Sequence, residues 1–275
     1  MFAVKHVSLS LLSLVFMATL PSLATAQTQC LAIADTATGT LLKHEGAGCE
    51  QRITRASTFK IAISLMGFDS GVLKYEHSPA LPFKEGYSAW RPSWKQTTDP
   101  AYWMKESVVW YSQEITPRIG AQKFAAYLKA FNYGNADASG DKGKNNGLTR
   151  AWLSSSLQIS PMEQMAFLTR IVKRDLAVSD HAYDMTGRIT KLDSIIDGWE
   201  VHGKTGAGAP RNADGSLAES RSYGWFVGWA TKGERKIVFV HQIQDEAKQE
   251  VSPGFRARDA LLAVLPDVLA KIEQP

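Results

Sequence analysis

Ala56-Ser57-Thr58-Phe59-Lys60, with the apolar run Ile61, Ala62, Ile63, Leu65, Met66 and Phe68 behind it, decides how this chain is read. Serine and lysine three apart on a helix share one face, so a helix starting here brings Lys60 to the Ser57 hydroxyl. The run closes in Asp69-Ser70-Gly71, a C-terminal stop. Apolar residues occur on every side of it, which predicts a buried helix. A serine in the first turn of such a helix sits among free backbone N–H groups at the positive dipole end, where an oxyanion is stabilised. The pair alone is weak, since Ser-x-x-Lys arises by chance about once in a chain of this length. A second match, Ser139-Gly140-Asp141-Lys142, falls in a Gly/Asp/Asn-rich loop with no helix to hold it, and is set aside.

N-terminal to this stretch, residues 1–26 carry Lys5 and His6, an apolar run from Val7 to Leu20, and Ala24-Thr25-Ala26. This is the order of a secretory signal peptide, with cleavage expected after Ala26 to leave 249 residues, Gln27 to Pro275. No other segment is long and apolar enough to span a membrane, so an exported, soluble protein is expected, free of the membrane after cleavage. The mature length suffices for a sizeable core. The formal charge of +4 includes Lys5, and the basic residues are scattered, which gives no nucleic-acid footprint. Cys30 and Cys49 bracket a hairpin read over Leu31 to Asp35, a turn at Thr38-Gly39, and Thr40 to Lys43. In an oxidising compartment they can pair, and the alternative is two free thiols. Two cysteines and six dispersed histidines offer no metal-ligand spacing, so no metal is expected.

C-terminal to it, the signals from about residue 72 to 198 are mostly helical. Helices are expected over Glu106 to Ile115, Ala121 to Ala130 and Pro161 to Lys173, the last entered through Ser160-Pro161 with Glu163 in its first turn. Asn132 to Arg150 reads as a loop. After Gly198 come strands over Val201 to Thr205, Ser222 to Thr231 and Lys236 to Gln242, the last two joined at Lys232-Gly233-Glu234, then a helix from about Gly254 to Glu273. Strands at both ends with helices between them indicate an α+β domain over 27–275, with one antiparallel sheet, flanking helices and a mostly helical subdomain.

Lys204-Thr205-Gly206 ends a strand signal, where a glycine lets a ligand approach the backbone. It also lies within Gly198-Trp199-Glu200-Val201-His202-Gly203-Lys204-Thr205, a letter-for-letter match to a phosphate loop. That motif requires a helix from the Lys-Thr pair, and Gly206-Ala207-Gly208-Ala209-Pro210 cannot open one, so nucleotide binding is rejected. Ser107-Val108-Val109 and Tyr133-Gly134-Asn135 are uninformative in isolation.

Their order and spacing are informative. Ser57-Thr58-Phe59-Lys60, Ser107-Val108-Val109, Tyr133-Gly134-Asn135, Trp152, Lys204-Thr205-Gly206 and Trp225-Phe226-Val227-Gly228 together resemble the class D serine β-lactamases, the oxacillinases. The longer phrases Lys105 to Gln113 and Trp152 to Ser160 carry the same resemblance, which covers essentially the whole mature chain. It implies a β-lactamase/transpeptidase-like fold, a periplasmic location, and penicillin-type β-lactams as small-molecule substrates, with antibiotic resistance as the outcome. It also implies the roles. Ser57 is the nucleophile, and Lys60 becomes, with carbon dioxide or bicarbonate, an N6-carboxylysine that serves as general base; no other cofactor is implied. Trp152 donates to the carbamate, and Ser107, helped by Lys204, protonates the leaving nitrogen. Backbone N–H groups of Ser57 and Ala207 form the oxyanion hole. Val109, Tyr133, Asn135, Thr205 and Gly206 border the substrate, and Arg256 takes its carboxylate, with Arg258 ranked second. The segment Ala207 to Ser222 is longer than in many relatives, and a homodimer is compatible with the reading. Two relatives share the serine–lysine geometry, a penicillin-binding transpeptidase and a β-lactam sensor that acylates without turnover. The sensor needs transmembrane helices and an effector domain, and the transpeptidase is usually larger and membrane-anchored.

Overall fold

A computed structural model describes residues 27–273; the leader expected over 1–26 lies outside them. In chain order the elements are β1 Gln27–Asp35, β2 Leu41–Glu45, β3 Ile53–Thr54, α1 Lys60–Asp69, α2 Pro100–Glu106, α3 Val109–Ile119, α4 Ala121–Ala130, α5 Gly147–Arg150, β4 Gln158–Ile159, α6 Pro161–Val172, α7 Asp180–Thr190, β5 Lys191–Ile196, β6 Trp199–Gly208, β7 Tyr223–Lys232, β8 Arg235–Gln244 and α8 Pro253–Glu273. A six-stranded antiparallel sheet runs β2-β1-β8-β7-β6-β5, so the N-terminal hairpin joins strands made some 200 residues later. The short pair β3–β4 forms a separate ribbon.

Period-two alternation in the central strands divides the interior in two. In β7 and β8, Phe226, Ala230, Ile237, Phe239 and Ile243 face α8, whose Ala257, Leu261, Leu265 and Leu269 complete that layer. Trp225, Val227, Trp229, Val238 and Val240 face the other way, into the core around α1 and the helical region. All but the last residue of α1 is buried, as its all-round apolar sequence requires. The predicted entry to α6 is a complete capping box: Ser160 accepts from the Glu163 N–H, and Glu163 accepts from the Ser160 N–H. Cys30 and Cys49 are joined as a disulfide.

Three expectations change. The helix read over 106–115 is two helices, because Ser107 takes the left-handed conformation (φ 63°) and ends α2, while extended Val108 starts α3. The stretch 132–150 contains the short helix α5. A further helix and edge strand, α7 and β5, precede Gly198; Asp197 and Gly198 (φ 47° and 82°) make the tight turn into β6. The phosphate-loop look-alike is therefore a hairpin turn and a strand.

Candidate active site

Ala56–Phe59 form a 3₁₀ turn that runs directly into α1. Ala56 has φ 49° and its N–H donates to the Trp152 carbonyl at 3.1 Å, which fixes the turn against the 152 segment. Lys60 Nζ lies 3.2 Å from Ser57 Oγ, within hydrogen-bond reach as that spacing predicts. Lys60 is fully buried, Ser57 half-buried. Burial drives the Lys60 pKa far below the ordinary lysine value, and the charge of Lys204 pushes it the same way. Lys204, also buried, is brought down to about 7 by desolvation, with Arg91 and Arg258 adding to the effect and Glu106 opposing it. Its ammonium donates to the Thr205 carbonyl at 3.1 Å.

Ser57, Ser107, Thr205, Gly206 and Ala207 line one cleft of about 150 Å³, so the serine turn, the break between α2 and α3, and β6 converge there. The left-handed kink puts Ser107 in this wall rather than on a helix face. Gly206 has a different reason from the expected one: a Cβ there would lie 2.6 Å from the Arg55 carbonyl oxygen and 3.1 Å from the Thr58 nitrogen. It is the chain's own serine turn, not first a ligand, that approaches this strand. Trp152 packs its ring 5.4 Å from that of Phe59, and its buried indole N–H has no acceptor.

Other expected residues fall elsewhere. Tyr133 is fully buried, with its hydroxyl donating to Gln164 Oε1 at 3.3 Å and its ring 5.1 Å from Phe59; it props the serine turn from behind and has no surface for substrate. Asn135 is exposed but occupied, donating to the Ser156 carbonyl and accepting from the Gln158 N–H, which ties its loop to β4. Val109 is buried at the start of α3 and joins the core. Arg256 donates from Nη2 to both oxygens of buried Asp245, each at 2.7 Å, and is absent from the cleft lining. Arg258 instead borders a recess with Lys204 and Thr205. Sequence reading missed Arg91, Trp94 and Phe255, which line the cleft, and Trp90, exposed at its rim. The Trp/Pro-rich stretch 87–104 was the available signal, but nothing local in it says which rings turn inward.

Residues 29–261 match the family described as penicillin binding protein transpeptidase domain. The chain is 45% identical over 242 residues to β-lactamase OXA-9 of Klebsiella pneumoniae, covering 86% of this chain and 87% of that one. It is 36% identical over 244 residues to β-lactamase OXA-1 of Escherichia coli, covering 86% and 83%. The crystal structure of the class D β-lactamase OXA-427 superposes with a TM-score of 0.83 at 46% identity, covering 90% of this chain and 99% of that one. With Lys60 behind Ser57, and Ser57 sharing its cleft with Ser107 and Thr205, the chain belongs to the class D serine β-lactamases.

Proposed function

We propose that the protein opens the amide of penicillin-type β-lactams through an acyl-enzyme on Ser57, and so confers resistance. The observation that carries this is the buried Lys60 at 3.2 Å from Ser57 Oγ, since a serine hydroxyl needs an adjacent base and only a dry lysine is neutral near pH 7. Ser57 Oγ attacks the lactam carbonyl as its proton passes to the base at residue 60, and N–H groups of Ser57 and Ala207 hold the oxyanion. Collapse breaks the C–N bond while Ser107, its proton favoured outward by Lys204, protonates the leaving nitrogen and takes in exchange the proton that the base received from Ser57, which frees the base. Water then attacks the ester as its proton passes to the base, and the base returns that proton to Ser57 Oγ as the C–O bond breaks.

Residue 60 is the modified base in this reading. A carbamate there supplies a carboxylate of higher proton affinity than water. Three features of the chain fit it: a buried amine at residue 60 whose charged form desolvation disfavours, the neighbouring Lys204, and the unpartnered Trp152 N–H. Substrate carboxylate is taken by Thr205 with Arg258 or Arg91 in place of Arg256. Export to the periplasm through residues 1–26 completes the proposal; a disulfide between Cys30 and Cys49 supports an oxidising compartment.

The test is a full progress curve with residues 27–275 and a chromogenic β-lactam in bicarbonate buffer. Many turnovers per enzyme, abolished in Ser57→Ala, are expected. A burst of about one product followed by a plateau would instead mean an acylating relative without hydrolysis.

A further inference from the structure

Beyond the Ser57 cleft lies a larger cavity of about 730 Å³, bounded by β3, the loop before α5, the Ser154-Ser155-Ser156 segment, the loop after β6 and the start of β7. None of the Ser57 cleft residues lines it. Its wall holds four cations, Arg52, Lys142, Lys144 and Arg211, against one carboxylate, Asp141. Arg52 is engaged by Glu163, and Asp141 is shared between Arg150 and Arg211. Lys142 and Lys144 make no salt bridge among the described residues, so the cavity keeps two unmatched positive charges at its mouth.

The floor is built of hydroxyls. Tyr223, 2% exposed, shares hydrogen bonds with Thr54 Oγ1 and, at 3.3 Å, with Ser154 Oγ. Behind this floor Arg55 is fully buried, stacked 3.8 Å over Trp225, with Nε and Nη1 lacking acceptors, and no carboxylate pairs with it. Its charge acts on the Tyr223 hydroxyl from within and opposes the rise that burial imposes there. A buried guanidinium of this kind makes the floor positive as well as hydrogen-bonding. The lining has three apolar residues, Ile53, Ala209 and Pro210, among side chains whose stems are apolar and whose tips are polar, and its one aromatic ring is the buried one of Tyr223. With no exposed ring to stack on, and with cations, hydroxyls and amides as its polar groups, the lining favours a compact occupant bearing negative charge and hydroxyls over a flat aromatic one. The volume falls within the usual range for small-molecule sites.

We propose that this cavity is a second ligand site for a small hydroxylated anion, a sugar phosphate or hydroxy acid, with the anionic group at Lys142 and Lys144 and hydroxyls at Ser154, Ser156 and Gln158. The Ser139-to-Lys142 segment thus has a binding role after all, through its lysine and not its serine. The loop after β6 gains one too: Arg211 donates to the Ser154 and Gly215 carbonyls and pairs with Asp141, so it holds one wall of the cavity to another.

Calorimetric titration with glucose 6-phosphate, glucose and inorganic phosphate tests it, on the wild type and on Lys142→Ala/Lys144→Ala. Glucose 6-phosphate should bind the wild type at least about tenfold more tightly than either of the other two, since both the charge and the hydroxyls contribute. The double variant should lose at least about tenfold of that affinity while hydrolysing a chromogenic β-lactam at the wild-type rate. Three results would overturn the proposal: no binding at millimolar probe, inorganic phosphate binding as tightly as the sugar phosphate, or undiminished binding to the double variant. Neither lysine takes part in acyl transfer, so failure here leaves the Ser57 reading untouched, and a plateau in the progress curve leaves this site untouched.

Discussion

Gly206→Ala tests whether the close approach of β6 to the serine turn is what aligns the cleft. The new Cβ would sit 2.6 Å from the Arg55 carbonyl oxygen, 3.0 Å from Thr58 Cγ2 and 3.1 Å from the Thr58 nitrogen. Two of these three atoms are backbone and cannot rotate away. Reaching an ordinary contact of 3.4 Å requires β6 and the turn to separate by 3.4 − 2.6, or about 0.8 Å. The movement cannot be absorbed on the far side, because Gly254 at the start of α8 already lies so close to the Gly206 carbonyl that a Cβ there would be at 2.7 Å. Overpacking of this kind costs about 1–3 kcal/mol. For a chain of this length that lowers the melting temperature by roughly 2–4 °C per kcal/mol. The kinetic effect is larger, since a displacement near 1 Å between reacting groups costs on the order of a hundredfold in rate. The expected outcome is a folded enzyme with kcat down roughly 30- to 100-fold, measured with a chromogenic β-lactam. Gly187→Ala is the control: it sits in α7 with nothing within 4 Å of its Cβ, and should be neutral or slightly stabilising. A folded Gly206→Ala enzyme with kcat within about twofold of wild type would refute the reasoning.

Trp152→Phe keeps the ring against Phe59 but removes the unpartnered N–H; the bicarbonate concentration for half-maximal activity should rise by about tenfold or more, and an unchanged requirement would remove Trp152 from the carbamate's support. Arg256→Ala should behave as a structural lesion, stranding buried Asp245 at a cost of about 3–5 kcal/mol, whereas Arg258→Ala should raise KM with little change in melting temperature; the reverse pattern would restore Arg256 to substrate binding. Lys204 gives a pH prediction. Its folded pKa of about 7 lies below the ordinary 10.5, so between those values the unfolded chain binds the extra proton and stability rises with pH. Lys60 contributes with the same sign, so Lys204→Met should shallow that rise without abolishing it; an equally steep or inverted slope in urea melts between pH 7 and 10 would show that Lys204 is not desolvated as described.

Much of the fold was legible because its signals are local. The apolar run of α1, the capping box at α6, and the alternation along β7 and β8 each follow from a stretch of fewer than about 13 residues read against one periodicity. The cleft's principal groups were also legible, Ser57 with Lys60 from helical spacing, Ser107 and Lys204 through the family's order of motifs. What failed depends on backbone conformation or on distant partners. Ser107 at φ 63° breaks a helix that its neighbours' propensities support. Tyr133 and Asn135 carry the right letters, yet their side chains are claimed by Gln164 and by the β4 segment, tens of residues away. Arg256 is lost to Asp245 only because α8 folds back beside the end of β8, a tertiary event with no mark in Gly254-Phe255-Arg256.

Arg55, Lys60 and Lys204 share a property that explains why so much of this core looks unfavourable. They are 0%, 0% and 5% exposed, and among the described residues none forms a salt bridge. Burial depresses all three pKa values, and Lys60 is further lowered by Lys204. Selection for stability alone would replace such groups with apolar ones of similar volume, which is commonly neutral or stabilising. Their common feature is position: Arg55 caps the turn that presents Ser57, Lys60 reaches its oxygen, and Lys204 stands one residue from Thr205 in the cleft. In the proposed cycle the charge of the base on residue 60 lies beside Lys204, whose charge already acts on Lys60, while Arg55 serves the turn from behind through the Ile159 and Ser160 carbonyls. Lys204 is therefore matched by the charge that the modified base and the oxyanion supply, which gives a reason to keep a desolvated cation there at a cost to the unmodified fold.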